Sequence, residues 1–247
     1  HAGTHYRIDR VDQAETLMVE ALRTDPSVYR PGDFPEEPVA PRAFVPPLPV
    51  YPVFLDLPLL TGDEAPHAPH LAISARPWRG PVTLWSSDED AGYRPNLSVT
   101  VSATVARTLT PLAAAAPGRW DRGPALRVRL GSGVLTSAGQ RAVLNGANAL
   151  AIGNPDTDIW EVLQFARADL VGPQTYDLSL RLRGQAGTDG IMPAVWPVGS
   201  QIVLLDRALQ QIDLAASARG LARHYRVGLS ARGTDDPTVV HVERAFA

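Results

Sequence analysis

The sequence contains neither cysteine nor lysine, and each absence removes a class of chemistry. Without cysteine there is no disulfide, no thiol nucleophile and no zinc site with cysteine ligands. Without lysine there is no Walker-type phosphate loop, which needs a lysine to reach the phosphates. No uninterrupted apolar run approaches the ~18 residues that a membrane-spanning helix requires.

A surplus of charge of either sign is also lacking, since 26 acidic residues face 23 arginines and the formal net charge is −3. This balance gives no electrostatic basis for nucleic-acid binding. Hydrophobic residues make up 45% of the 247 positions and charged residues 20%, as in an ordinary globular protein with a buried core. The length suits one large β domain or two smaller ones.

Turn-forming residues are abundant, with 23 prolines and 20 glycines scattered without a period. Between them lie short runs rich in valine, leucine and isoleucine, which is typical of many short strands joined by turns. Apolar and polar residues alternate most clearly at 99–105, 126–130 and 176–183. We therefore predict a mainly β fold, with multiple small β-sandwich or barrel-like domains and short helices.

A proline-rich stretch divides the chain, and we predict a linker at residues 31–50 because proline keeps the backbone extended. An ordered loop packed across a sheet is the alternative for this stretch. Residues 1–30 hold two candidate strands and are predicted to end a preceding β domain. After the linker we predict a small β domain at 51–112, a connector at 113–124, and a second β domain at 125–247 that is truncated at its end.

Two kinds of motif could bind metal ions, and neither is complete. His67 and His70 form an H-x-x-H pair in a loop, but no third ligand lies nearby in the sequence. The acidic turn at 154–158 fails the calcium-loop pattern, because Ile159 and Phe165 stand where a glycine and a glutamate are required. We expect this turn, and the acidic turn at 88–90, to cap their own backbone.

No catalytic motif is present. The G-x-S-x-G nucleophile elbow is absent. A glycosidase needs two carboxylates in one cleft, and the sequence offers Glu64, Glu89, Glu161 and Glu243 without indicating which of them meet. We predict that the chain is not an enzyme and that it holds no cofactor and no metal.

Three aromatic residues, Trp78, Trp85 and Tyr93, flank a hairpin predicted around residues 87–92. Aromatic rings on a β surface can stack on sugars, so these residues are the candidate contacts for a glycan. The interpretation that we favour is that they close the core of a small β domain.

Arginines occur at alternate positions in two predicted strands, as Arg127 and Arg129 and as Arg181 and Arg183. Each pair is predicted to line one exposed face of its strand. There the side chains would pair with acids of a neighbouring subunit or keep the face hydrated. Exposed arginines at sheet edges also discourage unwanted strand pairing.

Four segments of the second half resemble a known family when they are taken together. They are VLTS at 134–137, VLNGANA at 143–149, EVLQF at 161–165 and YDLSLRLRGQAGT at 176–188. In this order they resemble the carboxy-terminal region of the baseplate megatron proteins of bacterial gene transfer agents. These are also called host-specificity or phage tail-tip proteins and have relatives in siphophage-like particles. The resemblance covers most of the chain and its motifs are structural rather than catalytic.

One segment departs from the family pattern. YDLSLRL at 176–182 stands where Y-x-L-S-G-L-L is more usual, which implies a local change of strand register or exposure. Gly146 and Gly184, which lie within the resembling segments, sit where turns need a residue that tolerates positive φ.

The resemblance implies a structural subunit of a tail baseplate in a DNA-delivering particle, assembled in the bacterial cytoplasm and released with the particle. Residues 1–30 would end a hub-type β domain. The chain would dock on the baseplate hub and other tail proteins, assemble as a trimer, and anchor the tail fibres that attach to the host. Trp78, Trp85 and Tyr93 would then be candidate fibre contacts. Neither a membrane span nor direct sequence-specific nucleic-acid binding is expected.

Two other functions remain open on the sequence alone. The first is a receptor-binding module for cell-surface polysaccharide, which requires Trp78, Trp85 or Tyr93 to be exposed in a groove. The second is a cell-wall hydrolase, which requires two carboxylates in one cleft or a metal held with His67 and His70.

Overall fold

The computed structural model describes residues 3–25 and 48–246. The chain divides into two compact units, residues 1–46 and 47–247. In the first unit, β1 (Tyr6–Gln13) and β2 (Leu17–Arg23) form an antiparallel hairpin with exposed side chains. The greater part of the predicted linker, residues 31–47, lies outside the described residues, as do residues 26–30.

The second unit is built almost entirely from short strands, which confirms the predicted mainly β fold with short helices. Its strands are β3 (Tyr51–Leu55), β4 (His70–Ser74), β5 (Val82–Ser87), β6 (Arg94–Val99), β7 (Val105–Thr108), β8 (Leu112–Ala113), β9 (Trp120–Asp121), β10 (Leu126–Leu130), β11 (Ala149–Asn154), β12 (Ile159–Gly172), β13 (Thr175–Gln185), β14 (Val195–Trp196), β15 (Gln201–Leu204), β16 (Gln210–Gln211), β17 (Arg223–Leu229) and β18 (Val240–Arg244). A helix, α1, spans Gln140–Leu144, and 3-10 turns span Thr188–Ile191 and Ala216–Ala218. Within the described ranges, no helix is long and apolar enough to cross a membrane.

Six strands close into an antiparallel barrel in the order β10-β7-β15-β11-β12-β13, because β13 pairs back with β10. Strand β9 pairs with β13 beyond that closure, and β8 with β14 forms a separate two-stranded ribbon. Alternation positions the barrel core as predicted in β10, where Leu126, Val128 and Leu130 are buried while Arg127 and Arg129 are exposed.

Two smaller sheets form a sandwich, one with strand order β16-β4-β3 and one with β18-β17-β5-β6. Phe54 and Ile73 of the first sheet pack in one apolar cluster with Leu84 and Tyr225 of the second. The opposite side of the three-stranded sheet packs on the barrel, since Val53 lies in a cluster with barrel residues such as Trp160 and Val203. Burial of both faces makes β3 and β4 a layer between the barrel and the four-stranded sheet.

The strand pairing differs from the sequential division predicted at residues 112 and 125. Strand β7 precedes the predicted connector, 113–124, yet it lies in the barrel between β10 and β15. Strands β16, β17 and β18 come last in the chain, yet they complete the sheets that β3 to β6 begin. Alternation identifies a strand but not its partner, so the pairing of strands that are distant in the sequence could not be predicted from the sequence pattern.

The predicted exposure of Arg181 and Arg183 is wrong, because both side chains are buried, at 1% and 0% exposed. Leu180 takes left-handed backbone, with φ at 57°, and this breaks the alternation along β13. Leu178 before it belongs to the barrel core, whereas Leu180 packs on the small cluster beneath α1. Arg181 lies opposite the core residue Phe165, so it points into the barrel.

Candidate functional site

A buried charged network lies in the barrel interior beside β8 and β14, next to the apolar core. Glu161 of β12 accepts hydrogen bonds at 2.7 and 2.8 Å from the guanidinium of Arg183, and both residues are fully buried. The indole N–H of Trp196 donates to the same carboxylate at 2.6 Å, and the backbone N–H of Gly184 donates at 3.1 Å. Arg183 also donates to the carbonyl of Ala113 at 2.6 Å. A carboxylate so enclosed lacks the solvent access that a general acid or base needs.

A second pair extends this network towards the edge of the barrel. Arg181 donates to the Asp121 carboxylate at 2.8 and 3.0 Å and to the carbonyl of Leu178 at 2.8 Å. Burial alone would raise the pKa of Asp121, but hydrogen bonds from the Gly123 backbone N–H and from Arg181 hold it below its usual value. The charges of the two carboxylates and the two guanidiniums cancel, so the network adds no net charge to the barrel interior.

A groove of about 590 Å³ opens next to the network, and Trp196 contributes to both. Exposed apolar residues surround it, each between 41% and 59% exposed: Tyr51, Ile159, Ile191, Val195 and Val198. Arg107 stiffens one wall by donating to the carbonyl of Gly199 at 3.2 Å and to the hydroxyl of Tyr51 at 3.3 Å. Polar residues also line the groove, among them Asn154, Asp156 and Gln201, so it combines apolar side chains with polar and charged groups, as many protein–protein contacts do.

The three aromatic residues proposed as glycan contacts do not form an open platform. Trp85 is 9% exposed, and Trp78 is half-buried against the core of the sandwich. Tyr93 is half-buried, with the guanidinium of Arg226 lying 4.5 Å from its ring centroid. A sugar stacks on a free ring face, and the face of Tyr93 beneath Arg226 is already covered.

The two histidines of the H-x-x-H pair lie in different surroundings. The Nε2 atom of His67 lies 2.8 Å from the carbonyl oxygen of Leu214. His70 is buried in β4, and its burial lowers the pKa of the imidazole. This favours a neutral ring in the sandwich.

The acidic turns are held by hydrogen bonds and ion pairs. The Asn154 side chain accepts a hydrogen bond from the backbone N–H of Asp156 at 2.9 Å, as predicted for a self-capping turn. In the other turn, the Ser87 hydroxyl donates to the carbonyl of Ala91 at 2.5 Å, and Asp88 forms an ion pair with Arg223. That turn is thereby held against β17.

The structure also brings together Asp90, His224 and His241, a cluster not predicted from the sequence, whose potential ligand atoms all lie within 4.8 Å of one another. Asp90 belongs to the β5–β6 hairpin, His224 to β17 and His241 to β18. No sequence spacing connects them, because strand pairing and the fold of the hairpin bring them together. Alternation along β17 and β18 would have placed each histidine on a strand face, but not on the same face of one sheet.

A family model described as "Rcc01698-like, C-terminal" matches residues 103–203. The matched segment contains all six barrel strands apart from the last residue of β15, so the similarity coincides with the barrel. No curated protein matches the chain.

Proposed function

We propose that the chain is a structural module of the tail baseplate of a phage-like gene transfer agent. It docks on the hub, acts within a trimer, and anchors the tail fibres that attach the particle to a recipient cell. The observation that carries this proposal is the family match over residues 103–203, since the family takes its name from a protein associated with gene transfer agents. Because the match follows the barrel, we assign the assembly role to the barrel.

The physical character of the barrel supports an assembly role. Its interior is occupied by closely packed apolar side chains and by the balanced pair of Glu161 and Arg183. Its groove carries apolar side chains outside the core, and clustered exposed apolar residues are typical of protein–protein contacts. We therefore propose the groove as a contact for a neighbouring tail protein, and we assign no catalytic step to it.

The proposal is tested by capture of the particle's own proteins with the immobilised 247-residue chain, followed by identification by mass spectrometry. Capture of the hub or of a tail fibre is the expected result. If the folded chain captures neither hub nor fibre under conditions in which the particle itself is intact, the assembly role is wrong.

Substitution of Val198 by aspartate is expected to weaken this capture by about tenfold or more, because a charge would be buried against apolar partner groups. Val198 lines the groove and is 59% exposed, so the folded chain should tolerate the change. Val134→Asp is the matched control, since Val134 is 63% exposed and does not line the groove. If both variants lose capture equally, or if neither loses it, the groove is not the contact.

A further inference from the structure

The outer face of the four-stranded sheet brings two imidazoles together. In the pairing of β17 with β18, His224 lies opposite Glu243, and Arg226 lies opposite His241. His224 and His241 are therefore diagonal neighbours on one face. Their rings are stacked, with centroids 5.5 Å apart and planes inclined by 13°.

The separation of the two ring nitrogens matches a metal-ligand edge. His224 Nδ1 lies 3.3 Å from His241 Nε2. Zinc binds histidine nitrogen at about 2.0–2.1 Å with tetrahedral geometry, which places two ligand nitrogens roughly 3.3–3.4 Å apart. In the structure the same contact is a hydrogen bond between the two rings, and a metal ion that takes the place of its proton would hold both nitrogens at a similar separation.

Asp90 supplies a carboxylate at the same place. Its Oδ1 atom lies 3.8 Å from His241 Nε2 and accepts hydrogen bonds from the Tyr93 hydroxyl and, at 3.0 Å, from Arg226. These two hydrogen bonds hold the pKa of Asp90 below its usual value, so the group is ionised at neutral pH. Among the described residues, no side chain donates a hydrogen bond to Asp90 Oδ2, which leaves that oxygen for a ligand.

The charges around the cluster favour a cation. Arg226 is already neutralised, because it donates at 2.9 Å to Asp235 as well as to Asp90. Arg223, on the same strand, pairs with Asp88, and Glu243 adds a further carboxylate opposite His224. The carboxylates number four (Asp88, Asp90, Asp235 and Glu243) and the guanidiniums two, so the patch is negative while both imidazoles are neutral.

We propose that Asp90, His224 and His241 form a binding site for a divalent transition-metal ion of the Zn²⁺ type, with an open fourth position for water. Two imidazole nitrogens and one carboxylate oxygen select such an ion over Ca²⁺ and Mg²⁺, which prefer oxygen ligands. The bound ion joins β17, β18 and the β5–β6 hairpin.

The test is titration of the purified 247-residue chain with ZnCl₂, by calorimetry and by NMR of the histidine side-chain nitrogens. We expect one equivalent of zinc to bind saturably and to shift the NMR signals of His224 Nδ1 and His241 Nε2. We expect no such binding with CaCl₂ or MgCl₂. His241→Gln and Asp90→Asn, which keep the size and polarity of the side chains, should each weaken binding by about tenfold or more. His5→Ala is the control, since His5 is an exposed histidine in the other unit.

Three results would overturn the proposal. The first is an absence of saturable zinc binding by the folded chain. The second is equal binding by wild type, His241→Gln and Asp90→Asn, which would indicate adventitious binding elsewhere. The third is a loss in His5→Ala as large as that in His241→Gln.

Discussion

Replacing Glu161 with alanine is expected to lower the free energy of unfolding by about 3–5 kcal/mol, because it leaves buried hydrogen-bond donors without an acceptor. The guanidinium of Arg183 would lose both charge-assisted hydrogen bonds, and the indole of Trp196 would lose its partner. For a unit of this size the midpoint of thermal unfolding should fall by roughly 10 °C. Calorimetry or circular dichroism with the temperature ramped measures it directly.

Two further variants distinguish the cost of leaving a buried charge unpaired from the cost of losing an ion pair as such. Asp177→Ala removes the partner of Arg127 from an exposed part of the barrel surface, so unfolding should be little changed. Replacing both Glu161 and Arg183 with apolar residues should cost less than Glu161→Ala alone, because no unpaired charge then remains inside. A Glu161→Ala protein that melts within a degree or two of wild type would show that the buried network does not stabilise the barrel.

The strands themselves could be predicted from the sequence where one face is buried and the other wet. In β10 the burial of Leu126, Val128 and Leu130 follows from alternation alone, since a barrel strand buries only its inner face. The general fold class follows for the same reason. The partners of the strands could not be predicted, because β5 pairs with β17 across more than half of the chain.

The inward direction of Arg181 and Arg183 could not be read from alternation, since one backbone dihedral at Leu180 reverses it. Glycine would mark such a break, and the pattern of the family that this segment resembles, Y-x-L-S-G-L-L, has glycine at the position of Leu180. The departure seen in the sequence was therefore the one signal that local exposure changes here. Arginine in an alternating strand suggests an exposed face, and only a buried partner such as Asp121 changes that interpretation.

The candidate metal cluster could not be predicted from spacing. A metal motif is recognisable when its ligands lie on one turn or one helix face, as in H-x-x-H. Asp90 and His224 are instead joined through two strand pairings and the fold of a hairpin, and His241 enters through the pairing of β18 with β17. The pair that did match a local pattern is split, since His67 contacts the carbonyl oxygen of Leu214 and His70 is buried in β4.

Replacing Gly184 with alanine is expected to lower the free energy of unfolding by about 2–4 kcal/mol, through left-handed backbone and a steric clash acting together. The φ of Gly184 is 60°, as predicted for this position. A Cβ atom there would lie 2.8 Å from Asp189 Cα and 2.6 Å from Asp189 Cβ. The 3-10 turn Thr188–Ile191 would have to move away from β13. Denaturant unfolding at constant pH gives the difference.

Gly187→Ala is the matched control for the clash. Gly187 also has positive φ, at 76°, but a Cβ atom there meets nothing within 4 Å. The free energy of unfolding of the control should therefore fall only by the cost of a left-handed backbone at alanine, about 1–2 kcal/mol. Equal losses at Gly184 and Gly187 would mean that the close approach to Asp189 does not contribute.

The same glycine tests whether the turn and the buried network act as one unit. The backbone N–H of Gly184 donates to Glu161 Oε1 at 3.1 Å, so a displaced turn also disturbs the acceptor that Arg183 needs. The double variant of Gly184→Ala with Glu161→Ala should then lose less stability than the two single losses added together, by about 0.5–3 kcal/mol. If the losses of unfolding free energy add exactly, the packing of the turn and the pairing of the buried charges are independent. A smaller combined loss would mean that the position of the 3-10 turn and the pairing of Glu161 with Arg183 depend on each other.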